Sequence, residues 1–265
     1  SSGVAVDARG TAAAAAAMAA AGVSCVVTVG GDGTNRAVAI GWPDALLVPL
    51  PGGTNNAFAL PAEPTAAGLA VGVYAADPER YRALVRPAGR LEVRAEASSP
   101  TLALVDVAVV EGVWVGARAV WEPDTLVEVV LARADPSVSG LAGLGGMLHP
   151  LDGCVDHALH VRLGSPGRPV LAQLGPGRIE PVAVRDWRLV PGERAVTLSP
   201  GPATVALDGE REIVLEPGRR AEVRLVTGGP WLLDVRSLLE RAAREGRFSL
   251  AIHRRKEQCP SVRTR

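Results

Sequence analysis

Apolar and polar positions alternate in a helix-then-strand rhythm over the first third of the chain. Ala12 to Ala21 is nearly pure helix former with Gly22 as its stop, and Ser24 to Val29 is a short apolar, β-branched strand. A glycine turn follows at Gly30, Asn35 to Ile40 reads as a helix, and Leu46 to Leu50 reads as a buried strand. A second glycine turn covers Pro51 to Thr54, and Thr65 to Ala75 is another helix. This alternation predicts a parallel sheet flanked by helices. After Arg86-Pro87 short β-rich runs take over: Leu91 to Ala95, Thr101 to Val110, Leu126 to Ala132, Leu159 to Leu163, Pro181 to Val190, Ala203 to Leu207, Glu212 to Leu215 and Ala221 to Val226. From Pro230, Leu232, Val235, Leu238, Leu239 and Ala242 fall at helix-face spacing, with Gly246 as a stop. The expected fold is α/β plus all-β. Residues 1–86 with 227–250 form a parallel-sheet domain onto which the C-terminal helix returns, 87–226 form a β-sandwich domain, and 251–265 are a basic tail.

Composition narrows the chemistry. The chain has 265 residues, 48% hydrophobic and 21% charged, enough for real cores and against disorder. Its 28 basic and 28 acidic residues balance, unlike a basic nucleic-acid binder or a polybasic membrane protein. All but one of the basic residues are Arg, the exception being Lys256. A P-loop needs a Lys beside its phosphates and a pyridoxal enzyme needs a Schiff-base Lys in its core, so neither is expected. Cys25, Cys154 and Cys259 form no CxxC pair, and a reducing cytoplasm is the simplest compartment. The longest nonpolar run, Thr11 to Val23, is too short to span a bilayer and lacks a signal-peptide pattern, so a soluble protein is expected.

Three short segments carry the candidate chemistry. Val26 to Thr34 reads VVTVGGDGT, a strand running through glycines into a helix start, the arrangement that lets backbone N–H groups and a helix dipole meet a phosphate. A carboxylate there would repel phosphate unless it binds Mg²⁺ or takes a proton from an attacking hydroxyl. Asp32 is therefore a candidate base or metal ligand, with a plain N-cap as the alternative. Pro49 to Phe58, PLPGGTNNAF, repeats the strand-glycine pattern and adds Thr54, Asn55 and Asn56 as neutral donors. Loops at neighbouring strand ends of an open α/β sheet line one ligand crevice, although a turn with an Asn cap would read the same. Asp208-Gly209-Glu210 is first a hairpin signal, and the same turn can also present Asp208 or Glu210 to a cleft.

GGDGT at Gly30 to Thr34, GGTNN at Gly52 to Asn56 and LDGE at Leu207 to Glu210, in that order, resemble the NAD kinase and diacylglycerol kinase superfamily. PLPGGTNNAF, EPTAAGLAVG from Glu63 to Gly72, and LDGERE from Leu207 to Glu212 are most similar to its AcoX-type branch of ATP-NAD kinase-like proteins. The resemblance implies a two-domain kinase with ATP and Mg²⁺ at the glycine loops and a β-rich acceptor domain. It implies nucleotide contacts at Gly30, Gly31, Gly33, Thr34, Gly53, Thr54, Asn55 and Asn56, with Arg36 as a further cationic contact. Asp32 becomes the family's essential carboxylate as base or metal ligand, Glu210 becomes a rival base, and Asp208 and Glu210 face the acceptor as further catalytic candidates. The nominal reaction is phosphorylation of NAD to NADP, and partners are small-molecule acceptors, with neither nucleic acid nor membrane; homo-oligomer formation stays open. In the segment Ala103 to Val107, Asp106 matches the acidic partner of the family's Asn-acid pair, and Val105 stands where the amide would bind the dinucleotide. Only Ser1 to Val29 precede the GGDGT turn, which leaves the family's opening strand and helix incomplete. A lipid acceptor and a catalytically reduced nucleotide-binding regulator are the two alternatives.

Weaker signals point to ordinary structure. His149, Asp152, Cys154, Asp156, His157 and His160 crowd together, yet Pro150 and Gly153 break any helix, and on a strand His157 and His160 face opposite sides. Satisfied or surface histidines are expected there rather than zinc. LAGLGGM, Leu141 to Met147, loosely resembles the glycine-rich acceptor-pocket segment of NAD kinases. The Arg-rich end from Arg254 to Arg265 is expected to be a solvated terminus, and the five dispersed tryptophans to pack in cores or interfaces.

Overall fold

A computed structural model describes residues 7–53, 56–96, 99–112, 123–153, 156–175 and 177–249. Thr54, Asn55, Trp114, Trp121, Cys154 and the Arg-rich tail lie outside the described residues.

Helix α1 (Ala8–Ala20) starts on Asp7, whose carboxylate accepts from Gly10 N at 2.7 Å. It leads to β1 (Val26–Gly30), α2 (Asp32–Gly41), β2 (Leu46–Pro51), α3 (Pro64–Ala76), the single turn α4 (Pro78–Tyr81) and β3 (Val85–Pro87). Helices α1 and α2 pack closely at Gly41, where a Cβ would collide with the Ala12 carbonyl of α1. The sheet runs β1-β2-β14-β3, where β14 (Trp231–Leu233) lies parallel to β2 and antiparallel to β3.

The returning segment therefore corrects one expectation. Leu232 does not begin a helix but forms β14, in the apolar cluster of Ala15, Val26 and Leu47. Helix α6 (Val235–Arg244) starts only after Asp234, whose carboxylate accepts from Ser237 N at 2.9 Å. Its Val235 and Leu238 then pack with Ala67 and Ala70 of α3 and with Tyr81. Full burial of one such leucine is worth about 1.5–3 kcal/mol, so each of these contacts helps hold the helix to the domain.

The remaining strands are β4 (Arg90–Ala95), β5 (Thr101–Ala103), β6 (Asp106–Glu111), β7 (Leu126–Leu131), β8 (His157–Gly175), β9 (Arg178–Pro191), β10 (Ala195–Thr197), β11 (Ala203–Leu207), β12 (Glu210–Leu215) and β13 (Ala221–Val226). They make a four-stranded sheet, β10-β13-β4-β5, and a six-stranded sheet, β12-β11-β6-β7-β8-β9. Leu91, Val93, Val223 and Leu225 of the first meet Val107, Val109, Val130 and Val205 of the second in one core. The far face of the six-stranded sheet is covered by α5 (Leu141–Leu148), through Leu141 and Leu144 against Leu131, Leu159 and Val161. This is the LAGLGGM segment. Its glycines let the helix sit close, since a Cβ on Gly145 would strike Leu131 and one on Gly146 would strike the 135–136 backbone.

The run Thr101 to Val110, expected as one strand, is two strands broken at Leu104-Val105. The break has an identifiable cause, the Asp208 carboxylate, which takes the N–H groups of this corner. Among the described residues no helix is long and apolar enough to cross a membrane.

Candidate functional site

The GGDGT segment ends β1 and opens α2. Gly31 occupies the N-cap position in extended backbone, and Asp32 is the first helical residue rather than the cap. Thr28 Oγ1 donates to Asn35 Oδ1 at 2.5 Å and Asn35 Nδ2 donates to the Gly31 carbonyl at 3.1 Å, which fixes the turn from below. Thr34 folds back over Gly30, where a Cβ would lie 2.5 Å from its Oγ1.

The second glycine loop packs on the first, backbone to backbone. Gly52 N donates to the Gly30 carbonyl at 3.1 Å, and a Cβ on Gly52 would stand 2.9 Å from Gly30 N. Asn56 closes its own loop by accepting from Gly53 N at 3.0 Å and donating to the Gly53 carbonyl at 2.7 Å. Its Oδ1 also takes Gly52 N at 3.2 Å. Asp32 joins the two loops: its carboxylate oxygens accept from Ala57 N at 3.0 Å and Phe58 N at 2.9 Å. Only 3% of Asp32 is exposed. Burial raises its pKa, against the opposing pull of these two N–H groups and the Arg133 charge.

The LDGE turn arrives from the sandwich. Asp208 and Gly209 both have positive φ, 49° and 84°, and Leu207 pairs with Glu210 across them, so the hairpin and the site are one feature. Asp208 accepts from Leu104 N at 2.9 Å, Val105 N at 2.8 Å and Asp106 N at 3.2 Å. Glu210 lies against Gly33, where a Cβ would come 2.7 Å from its Oε1. Arg36, expected at the nucleotide, is 3% exposed and faces these acids, with Nη2 on Glu210 Oε2 at 2.8 Å and Nε 3.9 Å from Asp208 Oδ2. Three motifs that are remote in sequence thus converge, with Arg36 and Glu210 174 positions apart.

Residues 89–228 match the family model of the Acetoin catabolism protein X C-terminal domain. The chain belongs to this family. Acetoin catabolism protein X of Cupriavidus necator is 33% identical over 234 residues, which cover 86% of this chain and 65% of that protein. The chain thus spans about two thirds of its curated relative's length. The crystal structure of yeast NADH kinase complexed with NADH superposes with a TM-score of 0.50 at 13% identity, covering 88% of this chain and 69% of that one. This shows an NAD kinase-like fold. An NAD kinase from Archaeoglobus fulgidus in complex with ATP gives 0.47 at 14% identity, covering 84% and 83%.

The acids of the site sit deep. Asp208 is 5% exposed, and burial raises its pKa to about 7 despite Arg36 and the N–H groups of Leu104 and Val105. Asp106, 7% exposed, is pushed well above the ordinary range by burial first and then by Asp208 and Asp32. Its Oδ1 has no hydrogen-bond partner among the described residues. Among those residues no three His, Cys, Asp or Glu side chains form a metal cage. The orphaned Asp106 Oδ1 leaves one carboxylate oxygen able to take a further ligand, which is the kind of contact a hard cation such as Mg²⁺ would use.

Sequence reasoning missed Arg133. Its guanidinium stacks 4.6 Å over the Phe58 ring and its charge lowers the Asp32 pKa. Gly153, at φ 78°, makes room for it, since a Cβ there would strike the guanidinium carbon. The signal was present: a lone Arg two residues past the end of the apolar strand β7, in LVEVVLAR, has to find acids or rings when it is 8% exposed. His160 is satisfied by Glu128 at 2.7 Å, while His157 is exposed on the opposite strand face. Cys25 is free, with burial pushing its thiol up to about 11.

Proposed function

We propose that this chain is an ATP-dependent phosphotransferase that moves the γ-phosphoryl group to a hydroxyl of a small soluble acceptor, with NAD as the nominal acceptor. The convergence of the two glycine loops with the LDGE carboxylates carries this reading. Gly30 ends β1, Gly31 caps α2, and Gly33 and Thr34 lie in the first turn of that helix, whose leading N–H groups are the ones an intrahelical ladder leaves unpaired; Gly53, Thr54, Asn55 and Asn56 of the second motif are assigned to the nucleotide with them. Asp32 accepts the proton of the acceptor hydroxyl as its oxygen bonds to the γ-phosphorus and ADP departs. A carboxylate raised by burial and steered by two N–H groups is suited to that task. Glu210, whose side chain is 45% exposed, is the rival base. Arg36 orients Glu210 and Asp208 rather than touching phosphate. Mg²⁺ on the triphosphate, met by Asp32 or Asp106, would neutralise charge on the phosphate oxygens.

The test is incubation with γ-labelled ATP, Mg²⁺ and a metabolite panel that includes NAD and, in mixed micelles, diacylglycerol. Asp32→Asn is expected to remain folded and to lose at least a hundredfold in turnover. Wild-type turnover in that variant would overturn the assignment. The regulator reading draws on a specific observation too: Asn56 occupies the Gly52 and Gly53 N–H groups and Ala57 and Phe58 occupy Asp32. Tight ATP binding with no labelled product from any acceptor supports it.

A further inference from the structure

The six-stranded sheet carries a polar group where its apolar interlayer ends. His160 on β8 lies directly opposite Val130 of β7 and Arg188 of β9, and Arg162 lies opposite Glu128 and Asp186. Partners across a ladder and residues two apart share one sheet face, so all of these project on the side of Val130. That side is the core between the two sheets, where Val130 packs with Ala158, Val190, Val196 and Leu198. One step further along the strands the core gives way to Glu128 and His160, 3% and 5% exposed, joined Oε2 to Nε2 at 2.7 Å. Glu128 Oε1 also accepts from Ser199 N at 2.5 Å, in the segment facing this sheet. A buried pair of this kind is a poor stabiliser, because apolar residues of similar volume hold a core as well or better.

What the pair does instead is hold an imidazole at the floor of an opening. A cleft of about 420 Å³ is lined by Glu128, His160, Ser199, Arg162, Asp186, Arg188 and Arg220. The volume is that of a small-metabolite site. With His160 Nε2 held by Glu128, the other ring nitrogen has no partner among the described residues. Among the described residues Arg162 alone of the three guanidinium groups makes an ion pair, with Asp186 at 3.6 Å, and both of those side chains are more than half exposed. Arg188 and Arg220 make no ion pair among the described residues. Convergent arginines beside a fixed imidazole recognise an oxyanion, because the planar guanidinium meets phosphate or carboxylate through paired N–H bonds.

We propose that this cleft is a second ligand site, separate from the glycine loops, that binds a doubly charged oxyanion of metabolite size through Arg162, Arg188 and Arg220 over the Glu128–His160 pair. The cleft shares no lining residue with the site at Asp32, Asp208 and Glu210. Arg188 and Arg220 are exposed and can be altered without opening a core.

Isothermal titration of the full chain with inorganic phosphate and, in a parallel arm, succinate tests this and separates a phosphate from a carboxylate source. Saturable binding of at least one is expected, weakened at least tenfold by Arg188→Gln combined with Arg220→Gln and weakened likewise by His160→Gln. ATP titration of the double variant should match the wild type, which separates this site from the phosphotransferase reading. No saturable heat from either anion overturns the proposal. So does anion binding that the double variant leaves intact, since that places the anion elsewhere.

Discussion

Replacing Asp208 by alanine removes the acceptor of three main-chain N–H groups at the corner between β5 and β6, those of Leu104, Val105 and Asp106. Each buried N–H left without a partner costs about 1–3 kcal/mol, and three of them cost about 3–6 kcal/mol after partial relaxation. Alanine at φ 49° adds a smaller cost, because it lacks the short polar side chain that lets Asp visit the left-handed region. The total is a large part of the roughly 5–15 kcal/mol that holds a typical domain. Titration gives the effect a second dimension. Burial raises the Asp208 pKa to about 7, so the folded state binds its proton more tightly than the unfolded state. Protonated Asp208 contributes stability that is fully present below the unfolded value near 4 and is lost as pH rises towards about 7. Between pH 5.5 and 7 the wild type loses about 1.5 × 1.36, or roughly 2 kcal/mol, that the alanine variant never had. Urea titrations at pH 5.5 and pH 8 measure this directly. The penalty of Asp208→Ala should be several kcal/mol at pH 5.5 and about 2 kcal/mol smaller at pH 8. A penalty below about 0.5 kcal/mol at both values, or one that grows with pH, would refute the reasoning.

Other substitutions separate loop packing from chemistry. Gly52→Ala places a Cβ against Gly30 N and should cost about 1–3 kcal/mol in thermal or urea unfolding, because backbone has to move. Gly33→Ala meets only the end of the Glu210 side chain, so stability should change by less than about 1 kcal/mol while turnover, read from labelled ATP, falls. Arg36→Met strands the buried Asp208 without its guanidinium and is expected to destabilise by about 3–5 kcal/mol, with recovery as pH falls below 7; equal loss at pH 5.5 and pH 8 would contradict it. Phe58→Leu removes the ring under Arg133 and should weaken the fold by about 1 kcal/mol or more in the same unfolding assay.

The amino-acid sequence made the elements around the glycine loops readable because each announces itself locally. Gly22 ends α1, Gly30 and Gly31 end β1, and the β2 run Leu46 to Leu50 is apolar throughout because both of its faces are buried. What stayed hidden depends on contacts between distant residues. Nothing near Leu104 shows that Asp208 will take its N–H and split the run Thr101 to Val110 into two strands. Leu232 fits helix spacing, and only its pairing with Leu47 and Arg86 makes it a strand. Asp32, Asp208 and Glu210 were visible as motif residues, whereas the depth of Asp32 and the turning of Arg36 towards acids required the tertiary packing. Arg133 just past β7 and the Glu128–His160 pair within β7 and β8 are buried polar side chains in apolar surroundings, a pattern that flags an interaction without naming its partner.

The central claim is that Asp32 and the loops it ties together deliver a phosphoryl group to a hydroxyl. Transfer of label from γ-labelled ATP, compared between the wild type and Asp32→Asn with folding of both checked by circular dichroism, tests it most directly. The account predicts a labelled acceptor from the wild type and at least a hundredfold less from the variant at equal fold content. Equal labelling by both proteins, or no labelled product from a wild type presented with every acceptor class, contradicts it.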